Sequence, residues 1–381
     1  MKNSILKTRV PARNFDLAQA LRVTAKLRGI SQLRLAGEII RVGRGRQRLN
    51  WKEYFLYGAH QPSLSVEQRA EFLGESVMRA MNQALTPRPD GLAGLFVDKM
   101  LTDLVLTRCG IPVAGVRAVA VATQTQLPYA VLPDVRPLEA FLADTPLPFF
   151  GKPAHGSRSI GAVSILGRDA STLILGDGTH VEIADFAAEV IRAFPTGYIF
   201  QDLMMPHPDL ARIVGPVIAS VRVVTVRIGA ELEPLYAAMK MPGPGQMVDD
   251  IVSFINTMCG IDHRTGQIVR GQDACKLGGI EMTLNQVTGA TLVGAVLPAW
   301  PDAVRLARSV HEIFPRQGLL GTDVAITESG VRVIEVNSQP LHSFYQKCFA
   351  RGFWNADIAP KMTEALASFG HVKATRLIPF P

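Results

Sequence analysis

The sequence predicts an α/β (α+β) protein preceded by a mainly helical N-terminal region. Three observations predict it. Nearly half of the 381 residues are apolar, enough for one large core or two to three smaller domains. Apolar residues recur at helical spacing before the breaker Thr86-Pro-Arg-Pro-Asp-Gly91. Beyond it, β-branched runs alternate with helical stretches and glycine-rich turns. The expected organisation is a basic helical region over 1–88, a small α/β segment over 89–145, and two larger units over 146–203 and 204–375.

In the first region Leu17, Leu21 and Ala25 follow Phe15 at helical spacing, with Arg22, Lys26 and Arg28 between them. A second helix is expected from Val66 to about Ala84, capped by Ser65. The charge is concentrated here. Through Lys52 there are 13 Lys and Arg against two acids, while the remainder carries 27 basic and 31 acidic residues. Such a segment fits either a packed helix with a solvated basic face or a docking site for a membrane surface or protein partner. The cluster Arg41-Val-Gly-Arg-Gly-Arg-Gln-Arg48 has no interleaved aromatics, so a nucleic-acid partner is not expected. No apolar run is long enough to span a membrane. Met1–Asp16 lacks the apolar stretch of a signal peptide, so a cytoplasmic location is expected. Cys109, Cys259, Cys275 and Cys348 are scattered and read as reduced thiols.

From Gly91 onward, Asp98-Lys99 opens a helix ending at Cys109-Gly110, and Ile111-Pro112-Val113 is a short extended segment. Pro146–Phe150 leads into Gly151-Lys-Pro-Ala-His-Gly-Ser-Arg-Ser-Ile-Gly161 and a strand from Ala162 to Leu166. Strand, glycine-rich turn, strand is either a plain hairpin or a loop whose N–H groups approach phosphate. It is not the strand–loop–helix of a P-loop. Asp185–Phe194 reads as a helix and Gly197–Leu203 as a buried strand. Strands over Val221–Ile228 and Pro234–Met239, a turn at Asp262–Gly266 and a helix over Asp302–Phe314 follow.

The last motif is Gly321-Thr-Asp-Val-Ala-Ile-Thr-Glu-Ser-Gly-Val-Arg-Val-Ile-Glu-Val-Asn337. Glu328-Ser329-Gly330 reads as a three-residue hairpin loop. A turn centred on Ser329 sets Asp323 opposite Glu335, with Asn337 two residues on and facing the same way. Like charges directly opposite destabilise a ladder. The pair is therefore either bridged by a cation such as Mg²⁺, which shares its site with phosphates, or left at a solvated hairpin end.

In this order the pieces resemble the ATP-grasp superfamily over roughly residues 50–360. Asp98-Lys99 with Gly110-Ile-Pro112, and Phe150-Gly-Lys152-Pro with its loop, are similar to its two lysine motifs. Gln201-Asp202 is similar to the adenine-contacting segment between its lobes, and Asp323, Glu335 and Asn337 to its metal set. Val221-Arg222-Val-Val-Thr225, Val248-Asp249-Asp250, Asp262–Gly266, Thr288-Gly289 and Gly321–Ala325 are similar to the sugar-transfer-associated branch. Asp202, Asp250 and Gln286-Val287 depart from the residues usual there, Glu, Asn and His-Pro respectively.

The resemblance implies an ATP-grasp fold, two α+β lobes clasping ATP. It implies that Lys99, Lys152, Gly156, Ser157, Gly161, Gln201, Asp202 and Leu203 bind ATP. Asp323, Glu335 and Asn337 would bind Mg²⁺ (or Mn²⁺), and Arg222 and Lys240 would act at the transferred phosphoryl group. The implied activity is an ATP-dependent carboxylate–amine ligase acting on small molecules through an acyl-phosphate, in polysaccharide, cell-surface or secondary-metabolite synthesis. A small-molecule or sugar kinase, or a nucleotide-binding accessory of polysaccharide assembly, stays open beside it. His207, between prolines, is either a ribose contact or a loop residue without a role, and His342 is given no role.

Overall fold

The computed structural model describes residues 5–6, 16–86, 92–123, 125–156, 159–249, 256–273 and 280–369. Five helices open the chain: α1 (Leu17–Arg28), α2 (Gln32–Arg44), α3 (Trp51–Leu56), α4 (Val66–Ala70) and α5 (Glu75–Leu85). Ser65 caps α4 in a reciprocal box with Gln68. The single helix expected over Val66–Ala84 is broken in two. At the break the Gly74 N–H donates to the Gln47 carbonyl at 2.8 Å. A Cβ on Gly74 would lie 2.2 Å from the Arg48 carbonyl oxygen, so the chain there crosses the α2–α3 loop too closely for a side chain.

The next elements are α6 (Leu92–Val97), α7 (Lys99–Arg108), β1 (Val116–Ala120), β2 (Ala130–Leu132), α8 (Val135–Asp144), β3 (Phe149–Pro153), β4 (Val163–Asp169), β5 (Thr172–Leu175), β6 (His180–Glu182), α9 (Ile183–Ala193) and β7 (Tyr198–Asp202). Their strands form one sheet in the order β2-β1-β7-β3-β4-β5-β6. The 89–145 segment contributes to this sheet, since β1 pairs antiparallel with β7. Helices α8 and α9 cover one face through Leu138, Leu142, Phe186 and Val190.

The remaining elements are α10 (Pro208–Val214), β8 (Ser220–Ile228), β9 (Glu231–Met241), β10 (Thr257–Ile261), β11 (Ile268–Asp273), α11 (Trp300–Glu312), β12 (Leu319–Thr327), β13 (Gly330–Asn337), α12 (Ser343–Phe349) and α13 (Ala359–Phe369). Their strands make a second sheet, β11-β10-β9-β8-β12-β13. Helices α10 and α11 pack on one face. On the other lie α12, α13 and the N-terminal helices, which share a core with Val224, Val226, Tyr236 and Leu319. The helical region is therefore a layer of the second lobe. Residues 370–375, assigned to that lobe from the sequence, lie outside the described residues.

Two connections bring the sheets together. Val113 bridges Val333 of β13 in parallel, and the Val333 N–H donates to the Pro112 carbonyl at 2.8 Å. The linker after β7 docks along β12, where the His207 N–H reaches the Ile326 carbonyl. Among the described residues no helix is long and apolar enough to cross a membrane. Cys109, Cys259 and Cys348 are free thiols; Cys275 lies outside the described residues.

Candidate functional site

Between the sheets lies a cleft of about 300 Å³. One wall is apolar, with Phe150, Leu203, Met205, Ile218 and Ile334 among its residues. Lys99, Lys152, Gly156, Gln201, Asp202 and Glu335 line the same space. The two lysines, far apart in sequence, arrive from different elements. Asp98 caps α7 by accepting from the Met100 and Leu101 N–H groups, which places Lys99 at the first turn. Lys152 stands on β3, opposite Ile199 of β7.

The Lys99 ammonium donates to the Gly156 carbonyl at 2.6 Å, tying α7 to the glycine-rich loop. Burial lowers its pKa, against the raising pull of Glu335 and Asp98. Burial pushes the Lys152 pKa down to about 8, and the neighbouring Lys99 charge adds to the effect. Asp103 and Tyr129 stand behind the lysines, the hydroxyl donating to the carboxylate at 2.8 Å. The sequence reading missed Asp103, although its spacing four residues after Lys99 puts both on one helix face.

A neutral preference for the Lys152 amine opposes folding while the amine must stay charged. Its contribution to stability improves as pH rises from about 8 toward 10.5, where the unfolded chain still holds the proton. An anion entering the cleft reverses the preference. Polyphosphate binding near pH 8 is therefore expected to take up a fraction of a proton. Calorimetry in buffers of different ionisation enthalpy should show uptake that fades toward pH 6 and is absent in Lys152→Met.

The Asp202 carboxylate is held by Arg117 at 2.7 Å and its N–H by the Gly115 carbonyl, so it anchors β7 beside β1. Gly161 is not on the cleft wall. Its φ of 74° and its carbonyl, accepting from Tyr198 Oη at 2.7 Å, make it the fixed end of the loop. A Cβ there would meet the Phe194 ring at 2.4 Å. Ser157 lies outside the described residues, as does Asp250. His207 caps α10, its ring accepting from the Asp209 N–H.

In the hairpin Asp323 does pair with Glu335, by a different route from the one the sequence suggests. The loop has two residues, because Gly330 pairs with Thr327. In that register Asp323 would face Ile334. A bulge between Asp323 and Val324 shifts the pairing by one residue and brings Glu335 opposite. Gly321 pairs with Asn337, and a Cβ on it would lie 2.9 Å from Pro340. Glycine there lets the chain after β13 fold back over β12.

Asp323 also faces Arg222 across β8. Arg222 Nε and Nη2 donate to its two carboxylate oxygens at 2.6 and 2.7 Å, and the guanidinium lies over the Phe344 ring. Asp249 pairs with Lys240 at 3.4 Å; Lys240 is also 3.9 Å from Asp323. Burial works against the Asp323 charge, but Arg222 and Lys240 outweigh it and hold the carboxyl below its ordinary range. The same balance, burial against acidic neighbours, raises Lys240. Asp249 also lines the cleft, so this charged cluster reaches its wall.

The donor set fits a hard divalent cation. No group of three His, Cys, Asp or Glu side chains gathers among the described residues. A metal would therefore rest on two carboxylates, the Asn337 amide oxygen and phosphate oxygens, which is how Mg²⁺ is usually held. Arg222 uses one lone pair on each Asp323 oxygen and leaves the others. The buried Asn337 amide nitrogen has no partner among the described residues, and a phosphate oxygen would satisfy it.

Supporting residues come from the N-terminal helices. Asn82 Nδ2 donates to the Pro340 carbonyl at 2.8 Å and Thr86 Oγ1 to the Ser338 carbonyl at 3.2 Å. His342 is buried between Asn82 and Tyr236, stacked on Phe353, with its pKa pushed down to about 3 by burial. It is kept neutral and structural.

The family model described as sugar-transfer-associated ATP-grasp matches residues 82–355. No curated protein matches the sequence significantly. Among solved structures the chain is similar to an N5-carboxyaminoimidazole ribonucleotide synthetase in its ADP complex. The two share 12% identity and a TM-score of 0.37, over 66% of this chain and 47% of that one. It is also similar to the VanG D-Ala:D-Ser ligase of Enterococcus faecalis (14%, TM-score 0.42, 72% and 62%). A third is the D-alanine–D-alanine ligase of Helicobacter pylori (13%, TM-score 0.39, 74% and 61%). The chain thus spans about half to three-fifths of the length of these structures.

Proposed function

We propose that this chain, which belongs to the sugar-transfer-associated ATP-grasp family, is an ATP- and Mg²⁺-dependent ligase joining a small-molecule carboxylate to an amine. The observation that carries this reading is the meeting of Lys99, Lys152 and Glu335 in one cleft, with Glu335 paired directly across from Asp323. Two point charges suit a polyphosphate, and the apolar wall beside Gln201 and Leu203 suits a purine. Asp323, Glu335 and Asn337 would hold Mg²⁺ (or Mn²⁺), which supplies neutralisation of the β- and γ-phosphate charge.

The chemistry needs no nucleophilic side chain. A substrate carboxylate oxygen attacks the γ-phosphorus, the bond to the β–γ bridging oxygen breaks, and ADP leaves with the electron pair. An amine then attacks the acyl-phosphate carbonyl, inorganic phosphate departs, and the amine proton passes to solvent. Arg222 keeps its Nη1 group free of partners among the described residues, so it can steady an anionic oxygen while bound to Asp323. Lys240 adds a second buried charge. Positioning and electrostatic stabilisation are what the protein contributes. We place the reaction in polysaccharide, cell-surface or secondary-metabolite synthesis.

Hydroxylamine trapping tests the reaction. Protein, Mg-ATP and a panel of carboxylic acids should yield ADP and a hydroxamate for at least one acid. ADP with a phosphorylated alcohol and no hydroxamate would make the protein a kinase. Nucleotide binding without turnover across the panel would make it an accessory protein.

A further inference from the structure

The outward faces of α1 and α2 carry aliphatic side chains beside their cations, in addition to the apolar residues each helix turns inward. In α1 the buried residues are the small Ala20, Thr24 and Ala25, while Val23 and Leu27 are exposed, Leu27 at 66%. In α2, Leu35, Ile39 and Val42 are buried, yet Leu33, at 86%, and Ile40 are exposed. At 3.6 residues per turn, Val23 and Leu27 share one outward sector with Arg22 and Lys26. Leu33 and Ile40 share another with Arg34, Arg41 and Arg44, and all five cations are exposed.

Glu38, the acid within these helices, is turned inward. Arg28 donates to its two oxygens at 3.1 and 2.9 Å and Tyr54 Oη to one at 2.6 Å. The outward faces are therefore cationic and aliphatic with no acid among them. Three observations select the occupant. Aliphatic tips without aromatic faces offer a nucleic-acid strand nothing to stack on. A second copy would bring the same five cations against these. An anionic bilayer satisfies both features, since headgroups take the cations and the acyl boundary takes the aliphatic tips. The uneven charge of the chain, 13 basic against two acidic residues through Lys52 and 27 against 31 beyond, would turn this end toward an anionic surface.

We propose that the α1–α2 hairpin docks the protein on an anionic membrane surface, with Leu27, Leu33 and Ile40 seated at the headgroup–acyl boundary. The test is flotation of the full chain with vesicles of phosphatidylcholine alone and of phosphatidylcholine mixed with phosphatidylglycerol. The protein should float with the anionic vesicles and not with the neutral ones, and added salt should weaken the binding. Leu27→Glu and Leu33→Glu should each lower partitioning about tenfold. Arg34→Gln with Arg41→Gln should lower it about thirtyfold, with the melting temperature unchanged in all variants. The proposal is overturned if the anionic vesicles do not carry the protein, or if the leucine variants bind as the wild type does. It is equally overturned if light scattering shows a dimer that Leu33→Glu dissolves, or if RNA competes for the arginines and the leucine variants leave RNA binding intact.

Discussion

Asp323→Ala is expected to cost about 3–5 kcal/mol of folding stability, read from urea denaturation of the nucleotide-free protein. The side chain lies in a nearly dry position, 2% exposed, and both of its oxygens accept from Arg222. Removing it strips the buried guanidinium of its hydrogen-bonded counter-charge, leaving only the weaker pull of Glu335, and takes the second acid from Lys240. The cost comes from that stranded charge rather than from the worth of the pair. The double variant Asp323→Leu with Arg222→Met should therefore recover much of the loss, since apolar replacement of a buried ion pair is often neutral. A single variant as stable as the wild type, or a double variant worse than both singles together, would refute this account. The pH dependence has a definite sign. The folded carboxyl titrates below its ordinary 3.8, so its contribution is present above that value and is lost as pH falls below it.

Glu335→Gln is expected to lower ATP turnover by at least about 10³-fold while leaving the fold intact. Glu335 is partly exposed to the cleft and has no hydrogen bond or ion pair with the described residues, so it carries no comparable structural load. The substitution keeps shape and removes one negative charge where a divalent cation would sit. ATP should still bind through the two lysines and the apolar wall, more weakly and with less dependence on Mg²⁺. Steady-state ADP release and nucleotide titration with and without Mg²⁺ separate the two effects. Turnover at the wild-type rate would remove Glu335 from the site. One acid of the pair is tied into a buried ion pair with Arg222, and the other faces the cleft.

Much of the cleft was legible because its parts are local signals. Asp98 before a helical run predicts a cap, and the cap places Lys99. The glycine-rich break at Gly156–Gly161 between two apolar runs predicts the loop. The hairpin pairing of Asp323 with Glu335 was legible in outcome and not in mechanism. The sequence pattern suggests a three-residue loop, while the chain uses a two-residue loop and a bulge. Both routes shift the register by one residue, so the wrong intermediate reached the right pair. The joining of β1 to β7, and of the N-terminal helices to the second sheet, was not legible, since neither partner is near in sequence.

The chain by itself determined the helical start, the main helices and strands around the cleft, and the residue types that suit phosphate and Mg²⁺. These follow from periodicity, capping and turn chemistry, which act over a few residues. Only the tertiary structure decided that Arg222 belongs to Asp323 and Lys240 to Asp249, that Asp202 anchors to Arg117, and that His342 is a core residue. Those outcomes depend on which strands become neighbours across more than a hundred positions. Buried charges then pair with whatever the sheet register brings opposite, because an unpaired charge in the interior costs more than any local preference can supply.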